Sequence, residues 1–209
     1  MGRAPATVAL AAATTAASVL LMLSGTVGLA AILGGFLPAR FEGLVIPPVH
    51  GAVMPLLLTP LTATLIHAGP GHLLFNLVAL VFAGALVERA VGAAGLLVLY
   101  VVGAYAAALG QWLPEPRSVA PMIGASGAIS AVVGAYALLY GRSRARPVGP
   151  FSAAAVHAAW LAAAWVGIQL LVGLAGFGGA KVAIGAHVGG FLAGLALARP
   201  LLSWRYREA

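Results

Sequence analysis

The chain has 209 residues, 62% of them hydrophobic and only 7% charged, which is far more apolar than a soluble domain of this size needs for its core. This predicts an integral membrane protein; the absence of cysteine excludes disulfides and thiolate metal sites. The net charge of +7 does not point to nucleic acid, because the basic residues cluster in the connections on one side of the predicted spans.

Apolar runs able to cross a hydrocarbon layer roughly 30 Å thick, about 20 helical residues, fall at 8–37, 72–91, 92–112, 125–140, 152–175 and 182–202. The first run follows Arg3, but its length of about 30 residues far exceeds the roughly 7–15 of a signal-peptide core, so it reads as a retained helix. The connection 39–66 is apolar and broken by Pro47, Pro48, Pro55 and Pro60, which predicts an irregular segment sunk at the interface. The loop 113–124 carries Pro114, Pro116 and Pro121, and "GRSRARP" after the fourth run reads as a solvated basic turn. With the N-terminus inside, Arg3, Arg89, Arg142, Arg144, Arg146, Arg199, Arg205 and Arg207 are cytoplasmic, against Arg40, Arg117 and Lys181 outside. The positive-inside rule therefore predicts six spans with both termini in the cytoplasm. No repeat or linker divides the chain, so a single all-α domain of 1–209 is expected. Arginine outnumbers lysine ten to one and alanine is abundant, which suggests a GC-rich bacterial genome, so the bacterial cell (inner) membrane is the expected location.

The fourth run matters most. Its 16 residues make a helix of about 24 Å, some 6 Å short of the hydrocarbon layer. Its outer end, with Ser126, should lie below the surface in a recessed, hydrated pocket, since irregular backbone at that depth needs protein or water around it. Ionisable and strongly polar side chains inside spans are costly and point to function; the candidates here are His67, His72, Asn76, Ser126, Ser130, His157, Gln169 and His187. The starts of the second, fourth and sixth spans are all outer ends, so His72, Ser126 and His187 share one depth.

A serine attacks a carbonyl only if a base takes its proton, and histidine is the usual base. The chain has no aspartate, and Glu42, Glu88, Glu115 and Glu208 lie away from that depth, so a Ser-His-Asp triad is excluded and a Ser-His dyad remains. His72 and Asn76, four apart, share a helix face and carry N–H groups, and the Ser126 amide at a helix N-terminus adds a donor; together they can stabilise an oxyanion. Gly124 and Gly127 would let a substrate backbone approach. "GASG" is not the G-x-S-x-G elbow, and H-E-x-x-H is absent, so neither an α/β-hydrolase nor a zinc site is expected. Gly190 and Gly194 form a G-x-x-x-G that would pack the sixth span on the fourth and bring His187 to Ser126. His157 and Gln169 read as packing or interface residues.

Together these elements resemble the rhomboid intramembrane serine proteases across most of the six-helix core. "HAGPGHLLFN" is similar to the family's H-x4-H-x3-N stretch at His67, His72 and Asn76. "GASG" is similar to its G-x-S-G motif at Ser126, and "AHVGGFLAG" to its A-H-x-x-G-x-x-x-G at His187, Gly190 and Gly194. The resemblance implies Ser126 as nucleophile, His187 as base and then acid, and His72, Asn76 and the Ser126 amide as the oxyanion hole. It implies transmembrane helices as substrates, cut near small residues at their outer end; no cofactor, no metal and no nucleic-acid partner are expected. It also implies a gate formed by the fifth helix and the glycine-rich stretch after it, "GLAGFGGAK" at 173–181. Two positions depart from the pattern. Pro55 and Leu56 stand where a Trp-Arg pair often precedes Thr59-Pro60, and Ser130 stands where an aromatic residue often stacks on the catalytic histidine; Ser130 could hydrogen-bond to His187 instead. The competing readings are a rhomboid-like pseudoprotease that binds transmembrane helices without cutting them, and a small transporter. The inner halves of the spans, almost purely Ala, Leu, Val and Gly, argue against a conduit.

Overall fold

A computed structural model describes residues 4–45, 52–141, 144–175 and 183–207, with the backbone alone for 172–175. Among them there are helices and short turns but no strand. The chain opens with α1 (Pro5–Leu23) and α2 (Val27–Gly34), so the run expected as one helix over 8–37 is two. The break lies at 24–26, where Gly25 takes φ 67° and the Thr26 N–H reaches back to the Leu21 carbonyl at 3.0 Å. A left-handed glycine with that bond ends a helix, and the apolar composition running on through it gives no hint of the stop.

The connection 39–66 is irregular as expected; Pro47 and Pro48 lie outside the described residues. It holds 3-10 turns at Pro38–Glu42, Leu56–Leu58 and Ala63–Leu65 and the one-turn helix α3 (Thr59–Thr62). Where a Trp-Arg pair is missing, other residues fasten it: the Arg40 guanidinium donates to the Met54 carbonyl at 3.0 Å, and the Tyr105 hydroxyl to the Leu57 carbonyl at 2.9 Å.

The helices α4 (Pro70–Ala79) and α5 (Ala85–Trp112), joined by a π-helical turn at Leu80–Gly84, run on as one apolar stretch of 43 residues. Gly92 interrupts it with φ 81° and ψ 168°, at the boundary between the runs 72–91 and 92–112. Three further helices follow, α6 (Ser126–Tyr140), α7 (Ala153–Ala175) and α8 (Ile184–Arg205). Four of the apolar stretches are long enough to cross a membrane, Pro5–Leu23, Pro70–Trp112, Ala153–Leu171 and Ile184–Arg205, whereas α6 has only 15 residues. Leu74, Phe75, Val78, Val81 and Phe82 project outward, as side chains facing lipid do.

The short helix is the centre of the bundle. Residues Gly127 to Val132, Gly134 and Ala135 are all buried, and α8 packs most closely on α5 and α6. Side-chain volume sets how near the backbones come, and here it is close to nil. A Cβ at Gly190 would strike the Gly127 carbonyl, and one at Gly194 the Ala131 carbonyl. Small residues of this kind drive helix association where lipid removes the usual hydrophobic gain. At the opposite end of the bundle Glu88 caps α1: its carboxylate accepts from the Ala6 and Thr7 amides at 2.9 and 2.8 Å and from the Thr7 hydroxyl at 2.7 Å. An anion at a helix N-terminus meets both orphan amides and the helix dipole.

Candidate active site

Ser126 is the first residue of α6, so its amide belongs to the turn that has no intrahelical acceptor. The loop before it is tied down on both sides. Phe36 and Met122 exchange backbone hydrogen bonds at 3.0 and 2.8 Å, and the Gly124 N–H donates to the Ala63 carbonyl at 2.8 Å. His67, fully buried, completes the anchorage. Its Nε2 accepts the Ala125 N–H at 3.3 Å, while its Nδ1 donates to the Ser18 hydroxyl at 2.9 Å, which in turn donates to the Leu65 carbonyl at 2.8 Å. This histidine therefore links α1 to the start of α6 and does not itself face the cleft.

Gly124 has φ 108°, and a Cβ there would lie 2.7 Å from the His72 ring. The position needs glycine both for its left-handed backbone and to let His72 close on the loop. His72 packs edge-on against His67 with ring centres 4.9 Å apart, and its Nδ1 accepts the Ala68 N–H at 3.4 Å, which leaves its proton on Nε2. One turn on, the Asn76 amide donates to the His72 carbonyl at 2.8 Å. Gly127, expected to face a substrate, is instead buried against Ala107 of α5 and Ala186 of α8. Its role is packing, because the first turn of α6 lies inside the bundle on that side.

His187, in the first turn of α8, meets Ser126 across the α6–α8 seam, with 2.8 Å between Nε2 and Oγ. Its Nδ1 lies 2.7 Å from the Gln169 side-chain oxygen, and its backbone carbonyl accepts the Trp165 indole N–H at 3.1 Å. Two expectations change here. Ser130 does not bond to His187; its hydroxyl donates to the Ser126 carbonyl at 2.7 Å, because four residues along a helix a serine reaches its own backbone more easily. Gln169 is not mere packing, since it is the partner of His187. The signal in the sequence is its cost: an amide in an apolar span needs a polar partner. His157 lies at the far end of α7, near Gly141, away from this cluster. Of the stretch 173–181 expected to act with α7 as a gate, 176–181 fall outside the described residues.

A cleft of about 410 Å³ opens onto these groups. Phe75, Asn76 and Ala79 line one side, Ile129 and Val133 of α6 the floor, and Trp165 and Gln169 of α7 the other side. It is thus an apolar slot that also holds the Ser126 hydroxyl, the His187 imidazole and the Asn76 amide. Such a set can deliver an activated hydroxyl to a carbonyl and neutralise the oxyanion that forms.

An all-helical membrane protein with a hydroxyl–imidazole pair recessed between its helices is the class that fold and site define. The family model for the rhomboid domain matches residues 56–204, and the chain belongs to the rhomboid family, whose members are in general intramembrane serine proteases. Comparison with the curated proteins finds no match.

Proposed function

We propose that this protein is an intramembrane serine endopeptidase acting through Ser126 and His187. The observation that carries the reading is the 2.8 Å contact between the Ser126 hydroxyl and His187 Nε2 in an apolar cleft. His187 takes the hydroxyl proton as Oγ attacks the scissile carbonyl carbon. The Ser126 amide, His72 Nε2–H and an Asn76 N–H stabilise the oxyanion. Collapse of the tetrahedral intermediate breaks the C–N bond, and His187 returns the proton to the leaving amine. Water, activated by His187 in turn, then hydrolyses the acyl-enzyme.

The substrate is a transmembrane helix unwound near its outer end, which enters the cleft between α4 and α7. Six crossings fit the chain: α1, the two halves of the Pro70–Trp112 stretch divided at Gly92, α6, α7 and α8. The distribution of arginine favours both termini in the cytoplasm, and the abundance of arginine and alanine suits a bacterial cell membrane. The pseudoprotease alternative drew its support from Ser130, and with Gln169 on Nδ1 of His187 the base has another partner.

The test is labelling of the protein in detergent with a fluorophosphonate probe, beside Ser126→Ala and His187→Ala, with the adduct mapped by mass spectrometry. A single adduct on Ser126, lost in both variants, is the expected result. A folded protein that neither labels nor cuts a model transmembrane substrate in liposomes would overturn it in favour of the pseudoprotease.

A further inference from the structure

We infer that Gln169 is a positioning residue for His187, holding its ring in the Nδ1–H tautomer, so that the base is competent only while α7 is seated on α8. This rests on the reading of Ser126 and His187 as nucleophile and base.

A neutral imidazole has one N–H and one lone pair. To take the serine proton, Nε2 must present its lone pair to Oγ, and the ring proton must then be on Nδ1. The Gln169 carbonyl oxygen, 2.7 Å from Nδ1, accepts a hydrogen bond and cannot donate one, so it selects that form. The opposite placement of the amide, with its NH2 group toward Nδ1, would put the proton on Nε2 and leave the serine without a base. A neutral amide cannot stabilise the imidazolium as a triad aspartate does. Its contribution is orientation.

Packing alone does not account for the residue. Among the described side chains of α7, residues 153–171, Gln169 is the single buried one, at 6% exposure. A helix built mostly of Ala, Leu, Val and Trp thus turns an amide inward where an aliphatic side chain would fill the same space without needing a partner. One turn earlier on the same face, Trp165 stacks on Phe191 of α8 with ring centres 4.8 Å apart and donates to the His187 carbonyl. The hydrogen bonds of Trp165 and Gln169 therefore both end on the histidine. If α7 swings away from α8, the ring loses its Nδ1 acceptor and with it the tautomer that activates Ser126.

The experiment uses the full chain in detergent micelles, as wild type, Gln169→Leu and Gln169→Met. Nitrogen NMR on protein labelled with 15N-histidine, with the His187 signals assigned by their loss in His187→Ala, reads the tautomer. Labelling of Ser126 at several fluorophosphonate concentrations reads the maximal rate separately from probe binding. The expected outcome is Nδ1–H in the wild type and a mixture in both variants, with the maximal rate down roughly tenfold and the half-saturating probe concentration unchanged. An unchanged tautomer or an unchanged rate in a folded variant overturns the inference, and so does an Nε2–H ring in the wild type, which needs no variant. If the wild type does not label at Ser126, it is the protease reading that falls, and the ring's tautomer still decides the role of Gln169.

Discussion

The helices α6 and α7 carry neighbouring parts of one site but are held in opposite ways. α6 is buried nearly all round at its outer half, with glycine and alanine letting α5 and α8 approach to backbone distance. α7 is exposed or half-buried along most of its described length and meets α8 through Trp165 and Gln169. The lesson is a division of labour. The proposed nucleophile stands on a helix packed to backbone distance on its neighbours, and the acceptor for the proposed base's second nitrogen on one that is mostly exposed or half-buried. Backbone hydrogen bonds need no help from neighbours in either helix; what differs is how many side chains must shift to displace it.

The largest effect expected from the α6 side comes from removing the proposed nucleophile. Ser126→Ala should lower probe labelling and substrate cleavage by on the order of 10⁴-fold or more. Its thermal unfolding in detergent should stay close to wild type, because Ser126 is only half-buried and Gly127, Ala128 and Ile129 keep the packing. Next comes the seam that brings His187 to Ser126. Gly194→Val puts a branched side chain where a single Cβ already meets the Ala131 carbonyl. Backbone cannot give way as a flexible side chain can, so a loss of about 3 kcal/mol is expected. Thermal unfolding would show it, and labelling at Ser126 would fall with the folded fraction.

Much of this site is legible in the amino-acid sequence, and for a physical reason. Polar groups in a lipid-facing sequence are rare because they are costly, so His72, Asn76, Ser126 and His187 stand out by position alone. The short fourth run also announces its recessed outer end, since helix length and bilayer thickness are both fixed quantities. Gln169 is just as conspicuous in composition, but its partner depends on which face of α7 docks, and a helix apolar on every side does not say. Gly127 marks a related limit: its motif shows a small residue but not whether ligand or helix fills the space. The stop at Gly25 is hidden because hydropathy runs on across it.

Between the two extremes stands α1, a peripheral helix capped at its start by one side chain. Replacing Glu88, only 3% exposed, with alanine removes three hydrogen bonds to a charged acceptor and leaves the Ala6 and Thr7 amides without that partner. A cost of about 2 kcal/mol in unfolding is expected. Because this cap lies at the far end of α1 from Ser18 and His67, labelling of Ser126 per folded molecule should be unchanged. A fall in specific labelling would mean that α1 transmits strain through His67 to the start of α6, and that the peripheral helices matter more to Ser126 than the contrast implies.

The smallest effect is the sharpest test of that contrast. Gly167 lies on α7, two residues before Gln169, and a Cβ built there meets nothing within 4 Å. At Gly134 of α6 or Gly190 of α8 the same change of glycine to a larger residue collides with backbone; here it finds open space, and alanine loses less conformational freedom than glycine on forming a helix. Gly167→Ala should therefore leave stability unchanged or raise it by less than about 1 kcal/mol, with labelling at Ser126 intact. A clear destabilisation in detergent unfolding would show that α7 packs on its neighbours along this face as closely as α6 does. Trp165 and Gln169 would then be two contacts among many, and displacing α7 would require the seam itself to open.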